Sequence, residues 1–477
     1  MADFDVIVIG AGPGGYVAAI RSAQLGFKTA CVDNWLNEKG QACLGGTCLN
    51  VGCIPSKALL DSSHHYHALQ HEFKNHGINV TDYSIDLKKM MERKNQIVAS
   101  LTGGVSMLFA KNKVTWIQGH GRLLSNSQVE VDQSSNQEGK PGEKSQISSN
   151  HIIIATGARP IKLKSAPFDN HQIVDSTGAL SFDEVPKRLA IIGAGVIGLE
   201  LGSVWHRLGA KTVILNRGEK FLKSVDRQIA QAALKELQTQ GLDIRLGTKI
   251  KEIQKQADCV KLVYEDAKGE TTMEVDKLLI ATGRKPNTDN INADAVGLHI
   301  NQRGFIEVDE QCRTNLHGVY AIGDCVRGPM LAHRASDEGI AVAERIAGQS
   351  PEIDFTKVPW VIYTWPEIAW VGRTSEQLQD RDIKFNTGVF PFLANGRALA
   401  MGSPKGMVKV LSDANTDRIL GVHIFGPNAS ELISEAVVAM EFTASAEDLA
   451  RTIHAHPTLS ETLHEAALAA DGRAIHI

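Results

Sequence analysis

The sequence predicts an α/β chain in which two βαβ units precede a separate α+β domain. Three observations carry that prediction. Two Gly-x-Gly-x-x-Gly turns each follow a short apolar run, two further apolar runs each end in Ala-Thr-Gly, and the residue pattern changes after about Pro359.

In the first unit, residues 5–9 form an apolar strand that leads into Gly10-Ala11-Gly12-Pro13-Gly14-Gly15. A small-residue helix over 16–25, a terminating Gly26 and a second strand over 29–32 follow. The second unit repeats this order, with a strand over 189–192, Gly193-Ala194-Gly195-Val196-Ile197-Gly198, a helix over 199–208, Gly209 and a strand over 212–215. Such a turn lets the backbone approach a pyrophosphate and aims the amino end of a helix at it. Gly10, Gly12, Gly15 and Gly193, Gly195, Gly198 are therefore candidate cofactor contacts, and two copies point to a flavin plus a nicotinamide. Eighteen residues beyond the third glycine, where an acid commonly bonds a ribose hydroxyl, the first unit has Asp33 and the second Asn216. Asparagine still bonds a ribose, but it does not repel a 2′-phosphate, and Arg217 and Lys223 lie close by. NAD is favoured there, with NADP left open.

Residues 152–157 and 278–283 are matching strands ending in Ala-Thr-Gly, each closing one unit, so Thr156, Gly157 and Gly283 join the candidate contacts. The polar stretch Gln133 to Asn150 is expected as an exposed loop. Residues 319–324 are expected to return and complete the first unit. Beyond Pro359, runs at 407–411 and 421–425 read as antiparallel strands, and Ser430-Glu431 and Ser460-Glu461 as helix openings. The expected architecture is two Rossmann-like dinucleotide-binding domains, 1–155 with 284–355 and 156–283, plus a C-terminal α+β domain over 356–477.

Formal net charge is −4 with no block of like charges, which leaves no nucleic-acid or membrane-surface footprint. No stretch reaches the ~18 apolar residues of a membrane span. The opening MADFDVIVIG lacks a basic leader, so a cytoplasmic location is expected. Seven cysteines without a secretory signal do not suggest a disulfide framework.

Cys48 and Cys53 carry the strongest chemical signal. Five residues along a regular helix rise about 7.5 Å, too far for a disulfide, so a bond between them needs a distorted turn, which Asn50 and Gly52 supply. A strained, accessible disulfide is the reactive kind. Lys57 adds a nearby cation. Farther on, His454-Ala455-His456-Pro457 and Glu461 offer a base with a carboxylate to hold its tautomer. His64, His65, His67 and His71 lack acidic or cysteine partners at ligand spacing, and no metal site is expected.

Residues 45–57, Gly-Gly-Thr-Cys-Leu-Asn-Val-Gly-Cys-Ile-Pro-Ser-Lys, resemble the redox-active motif of the dihydrolipoamide dehydrogenase, glutathione reductase and mercuric reductase family. The Ile-Pro-Ser-Lys ending resembles the dihydrolipoamide dehydrogenase branch, and the resemblance covers essentially the whole chain. It implies FAD and NAD as cofactors, an FAD-binding domain over 1–155 with 284–355, an NAD-binding domain over 156–283 and a dimerisation domain over 356–477. It also implies a Cys48–Cys53 redox disulfide, Asp324 at the flavin ribitol and Lys57 near the isoalloxazine. His456 and Glu461 become the acid–base pair serving the partner subunit of a homodimer. Expected partners are lipoyl domains of 2-oxoacid dehydrogenase complexes or the glycine cleavage carrier protein. Cys31, Cys259, Cys312, Cys325 and, beside the pair, Cys43 match no family role. The absence of a cysteine after Cys325 argues against mercuric and large thioredoxin reductases. An NADPH-dependent glutathione-type reductase and a non-catalytic flavoprotein scaffold or redox sensor remain as alternatives.

Overall fold

A computed structural model describes residues 2–133 and 143–476. The chain divides into two compact units, one of Met1–Ala58, Met91–Ile161 and Gly283–Ile353, the other of Leu59–Met90, Lys162–Thr282 and Asp354–Ile477.

At the heart of the first unit, strand Phe4–Ile9 runs parallel to Thr29–Asp33 on one side and to Lys144–Ile154 on the other. Thr115–Gln118 extends the sheet beyond Thr29–Asp33, and Val319–Ala321 pairs in parallel with Lys144–Ile154, Val319 opposite Ile152. The late strand thus returns to the first unit as the sequence predicts. Parallel strands buried on both faces need continuous apolar runs, and Val6, Ile7, Val8, Ile152, Ile153 and Ile154 are fully buried. Helix Pro13–Gln24 starts at its proline, three residues earlier than expected, because a ring that fixes φ and lacks an N–H suits the first helical turn. It packs against helix Ala332–Ile346 so closely that a Cβ on Gly339 would lie 2.6 Å from Gly14 O.

The stretch Gln133 to Asn150 departs from expectation. Residues 134–142 lie outside the described residues, but Lys144–Ile154 is one continuous strand. Its first half pairs antiparallel with Gln128–Asp132, which in turn pairs with His120–Leu123. The polar composition of 144–150 disguised a strand stabilised by pairing rather than by two apolar faces. A 25-residue helix, Leu87–Lys111, was also not foreseen.

The second unit repeats the parallel order. Arg188–Ile192 lies between Lys211–Leu215 and Lys277–Ile280, with Asp243–Arg245 and Ile173–Val174 at the edges. A three-stranded antiparallel sheet, Lys249–Lys255, Val260–Asp266 and Gly269–Val275, adjoins it in sequence. The C-terminal segment forms a five-stranded antiparallel sheet in the order Trp360–Ile362, Glu367–Gly372, Ile419–Gly426, Met407–Asp413 and Phe385–Pro391. Helices Ala429–Glu441 and Glu461–Ala470 lie close to the two expected openings, although Asn428 rather than Ser430 precedes the first. Together with Ala446–Arg451 they bury an apolar face on this sheet through residues such as Ile433, Ala436, Leu463 and Ala467.

Among the described residues no helix is long and apolar enough to cross a membrane.

Candidate active site

The two glycine turns share one geometry. Gly10 and Gly193 have φ of +103° and +116°, where a side chain is strained, and a Cβ on either would sit 2.4 or 2.3 Å from the carbonyl oxygen of Ala155 or Ala281. The third glycines are equally constrained, a Cβ on Gly15 meeting Gly10 O at 1.8 Å and one on Gly198 meeting Gly193 O at 2.0 Å. The middle glycines differ. A Cβ on Gly12 or Gly195 would meet nothing within 4 Å. It would instead project into the open approach to the helix amino end, where a pyrophosphate binds. That open cradle, found twice, fits two dinucleotides.

Asp33 stands at the end of its strand with Oδ2 accepting the Ala11 N–H at 2.5 Å and Oδ1 accepting the Trp35 N–H at 2.7 Å. Burial raises its carboxyl above the ordinary range, and those two N–H groups pull it back. Asn216 reproduces the contact in the second unit, its Oδ1 accepting the Ala194 N–H at 3.3 Å. Thr156 Oγ1 donates to Asn287 O at 2.7 Å, and Asn287 N donates to Gly157 O at 2.9 Å, which fixes the first Ala-Thr-Gly turn. Gly283 has φ +128°.

The cysteine pair spans a break between helices. Gly46–Val51 ends at Gly52 (φ −137°, ψ −115°), and Cys53 begins the 19-residue helix Cys53–His71. A Cβ on Gly52 would stand 2.9 Å from Thr47 O and 3.2 Å from Cys48 Cα, so only glycine permits this tight joint. Asn50 braces the turn, its Nδ2 donating to Leu44 O and Gly46 O at 3.1 and 2.9 Å and its Oδ1 accepting from Cys43 Sγ at 3.2 Å. Both cysteines are thiols, Cys48 half-buried and Cys53 exposed. The Cys53 thiol, hydrogen-bonded to Cys48, and then burial push Cys48 far above its ordinary range, against the pull of the Lys57 charge. Cys53 lies at a helix amino end, where backbone N–H groups favour negative charge. The pair also adjoins the first glycine turn, since Gly45 N donates to Ala11 O at 2.9 Å and a Cβ on Gly46 would touch Gly12 Cα.

Asp324 follows the buried Gly323, whose N–H donates to Glu338 Oε2 at 2.7 Å. Glu338 pairs with Arg334 at 2.6 Å, both side chains being sealed from solvent. Burial raises the Asp324 carboxyl, opposed by Arg284 and Arg334. The i, i+4 spacing of Arg334 and Glu338 on one helix was the signal that could have exposed this support.

In the second unit, His456 Nδ1 lies 2.8 Å from Glu461 Oε1, and Glu461 Oε2 accepts the Thr458 N–H at 2.8 Å. Burial tends to raise the Glu461 carboxyl, but the Thr458 N–H and His456 outweigh it and hold the group below its ordinary value. The His456 side chain is 78% exposed. His454 sits differently, only 6% exposed, with Nε2 2.6 Å from Glu435 Oε1 and its ring stacked on His464. Glu435 was not singled out in the sequence. His64 and His67 are half-buried on helix Cys53–His71, and burial brings both to about 4. Among the described residues no group of three His, Cys, Asp or Glu is placed to hold a metal.

Residues 4–339 match the pyridine nucleotide-disulphide oxidoreductase family, and residues 358–467 match the dimerisation domain of that family. The chain belongs to the pyridine nucleotide-disulphide oxidoreductases. Membership makes it an FAD- and NAD-dependent oxidoreductase. Relatives in this family include a dihydrolipoyl dehydrogenase of Cupriavidus necator, 53% identical over 99% of both chains. A mitochondrial dihydrolipoyl dehydrogenase of Pisum sativum is 47% identical over 99% of this chain and 92% of its own. A leghemoglobin reductase of Glycine max is 46% identical over 98% and 87%. Among solved oxidoreductases of this fold, the HOCl-induced flavoprotein disulfide reductase RclA of Escherichia coli, as its Cu(II) complex, superposes with a TM-score of 0.85 at 26% identity, covering 98% of this chain and 99% of RclA.

Proposed function

We propose that the chain is a dihydrolipoyl dehydrogenase, acting as a homodimer on lipoyl domains of 2-oxoacid dehydrogenase complexes or on the glycine cleavage carrier protein. The observation that carries the reading is the dithiol set across a helix break beside the first glycine turn. Residues 1–155 with 284–355 hold FAD through Gly10, Gly12, Gly15, Asp33, Lys57, Thr156, Gly157 and Asp324. Residues 156–283 hold NAD through Gly193, Gly195, Gly198, Asn216 and Gly283, and 356–477 form the dimer interface. When bound, the flavin supplies the two-electron chemistry that links the dithiol to the nicotinamide.

Glu461, ionised, can only accept, so His456 carries its proton on Nδ1 and leaves Nε2 able to take another. The partner subunit's His456 removes a proton from a dihydrolipoyl thiol. The resulting thiolate attacks Cys48 Sγ of the oxidised pair, the Cys48–Cys53 bond breaks, and Cys53 leaves as thiolate. The second lipoyl thiol then displaces Cys48, which gives the lipoyl disulfide and leaves Cys48 and Cys53 reduced. Cys53, at its helix amino end, is the sulfur that would exchange electrons with a bound flavin. Cys31, Cys312 and Cys325 are buried thiols, which suits a reducing compartment and supports a cytoplasmic location.

The test is anaerobic mixing of the yellow holoenzyme with NADH and lipoamide while flavin absorbance and lipoamide reduction are followed. Rapid flavin bleaching with lipoamide turnover is expected; Cys48→Ser should keep the bleaching and lose the turnover. Bleaching by NADH without disulfide turnover would reject the reading.

A further inference from the structure

Strand Lys211–Leu215 delivers Asn216 to the second glycine turn, where its Oδ1 accepts the Ala194 N–H and its Nδ2 donates to Gly218 O at 2.9 Å. Asp33 makes the equivalent contact in the first unit with a carboxylate. The two sites share a geometry, and the second lacks the negative charge. In this architecture that position meets the ribose of the adenosine half, where a carboxylate selects the 2′-hydroxyl and repels a 2′-phosphate. Immediately after it, Arg217, Lys220 and Lys223 are all exposed. Among the described residues none of the three has a hydrogen bond or ion pair. The intervening Glu219 is placed toward Gly247, on which a Cβ would lie 3.7 Å from Glu219 Cγ.

We propose that the second dinucleotide site accepts 2′-phosphorylated nicotinamide dinucleotides as well as NAD. Asn216 removes the repulsion, and Arg217 and Lys223 supply the opposing charge. The proposal rests on the function above. A phosphate monoester carries about −1.5 to −2 charge at neutral pH, and guanidinium and ammonium groups bind it through charge-assisted hydrogen bonds. In the reaction NADPH gives a hydride and solvent one proton, lipoamide becomes dihydrolipoamide, and NADP is released.

The experiment compares NADH with NADPH as reductant of lipoamide in the holoenzyme. It also compares adenosine 2′,5′-bisphosphate with 5′-AMP as ligands, by calorimetry at low and high salt. NADPH is expected to support turnover within about a hundredfold of NADH in kcat/KM, and the bisphosphate to bind at least about tenfold more tightly than 5′-AMP. That advantage should shrink with salt, since the cations are exposed. Arg217→Ala with Lys223→Ala, and separately Asn216→Asp, should each lower the NADPH:NADH ratio by about tenfold. Robust NADH turnover with equal binding of the two adenosine phosphates would overturn the proposal. If neither dinucleotide reduces lipoamide, the function above falls, and the bisphosphate comparison still decides this site.

Discussion

Glu461 holds His456 by one nitrogen and is itself held by Thr458, so His456 depends on a carboxylate that stays ionised. Glu461→Gln keeps the shape and removes the charge. Turnover of dihydrolipoamide is expected to fall by about 10² or more, with flavin content unchanged; a fall of less than twofold would remove Glu461 from the mechanism. A second residue-scale device lies away from the chemistry. Asp226 is fully buried, accepts from Ser375 Oγ at 2.7 Å, and pairs with Lys409 Nζ at 2.9 Å. Burial would raise its carboxyl, but Lys409, His423 and Ser375 prevail and bring it to about 2 from an ordinary 3.8. A depressed carboxyl contributes stability above its unfolded value, roughly 2 kcal/mol here, and loses it as pH falls from about 4 toward 2. Asp226→Ala strands the lysine and should cost about 3 to 5 kcal/mol at neutral pH. Denaturant titrations at pH 7 and pH 3 measure both effects, and equal losses at the two values would contradict the linkage. Cys48 with Cys53, and His456 with Glu461, were singled out in the sequence because each pair lies five residues apart within a stretch that resembles a family motif. Asp226, Lys409 and Ser375 were not, because they lie 149 and 183 residues apart in pairs.

The glycine turns act as whole elements, strand, turn and helix together. A Cβ on Gly15 would collide with Gly10 O at 1.8 Å, and both atoms are backbone, so no side chain can move aside. Gly15→Ala is therefore expected to yield protein without bound flavin, read as loss of absorbance near the flavin bands after purification. Retention of full colour would mean that the turn is dispensable. This geometry was readable in advance because each turn is local, set between an apolar strand and a small-residue helix. The meander of His120–Leu123, Gln128–Asp132 and the first half of Lys144–Ile154 was not, since its polar residues gain order only by pairing. Helix Leu87–Lys111 escaped notice for a related reason. It mixes charges with apolar residues, and Gly103-Gly104 interrupts it with poor helix formers.

For the molecule as a whole, the C-terminal segment leaves Phe442 81%, Ile453 96% and Val438 58% exposed. Large apolar groups left open within a family dimerisation domain are expected to be covered by a second subunit. Phe442→Asp with Ile453→Asp should give a monomer by light scattering that still takes a hydride from NADH but no longer oxidises dihydrolipoamide, because in the proposed mechanism His456 serves the other subunit. A monomer with full turnover would break that link. The close seating of helix Ala332–Ile346 against Pro13–Gln24 has one more effect, felt during synthesis. The first helix leaves the ribosome roughly 300 residues before its partner exists, about 15 to 60 s at ordinary elongation rates. Through that interval Gly14 and Ala18 lack the surface that covers them, and the first unit stays open while the second glycine turn is already complete. Nascent chains stalled before residue 332 should be cut by protease in the first unit and protected once residue 353 has emerged. The amino end of the chain, although born first, is therefore sealed only after about 330 later residues have been made.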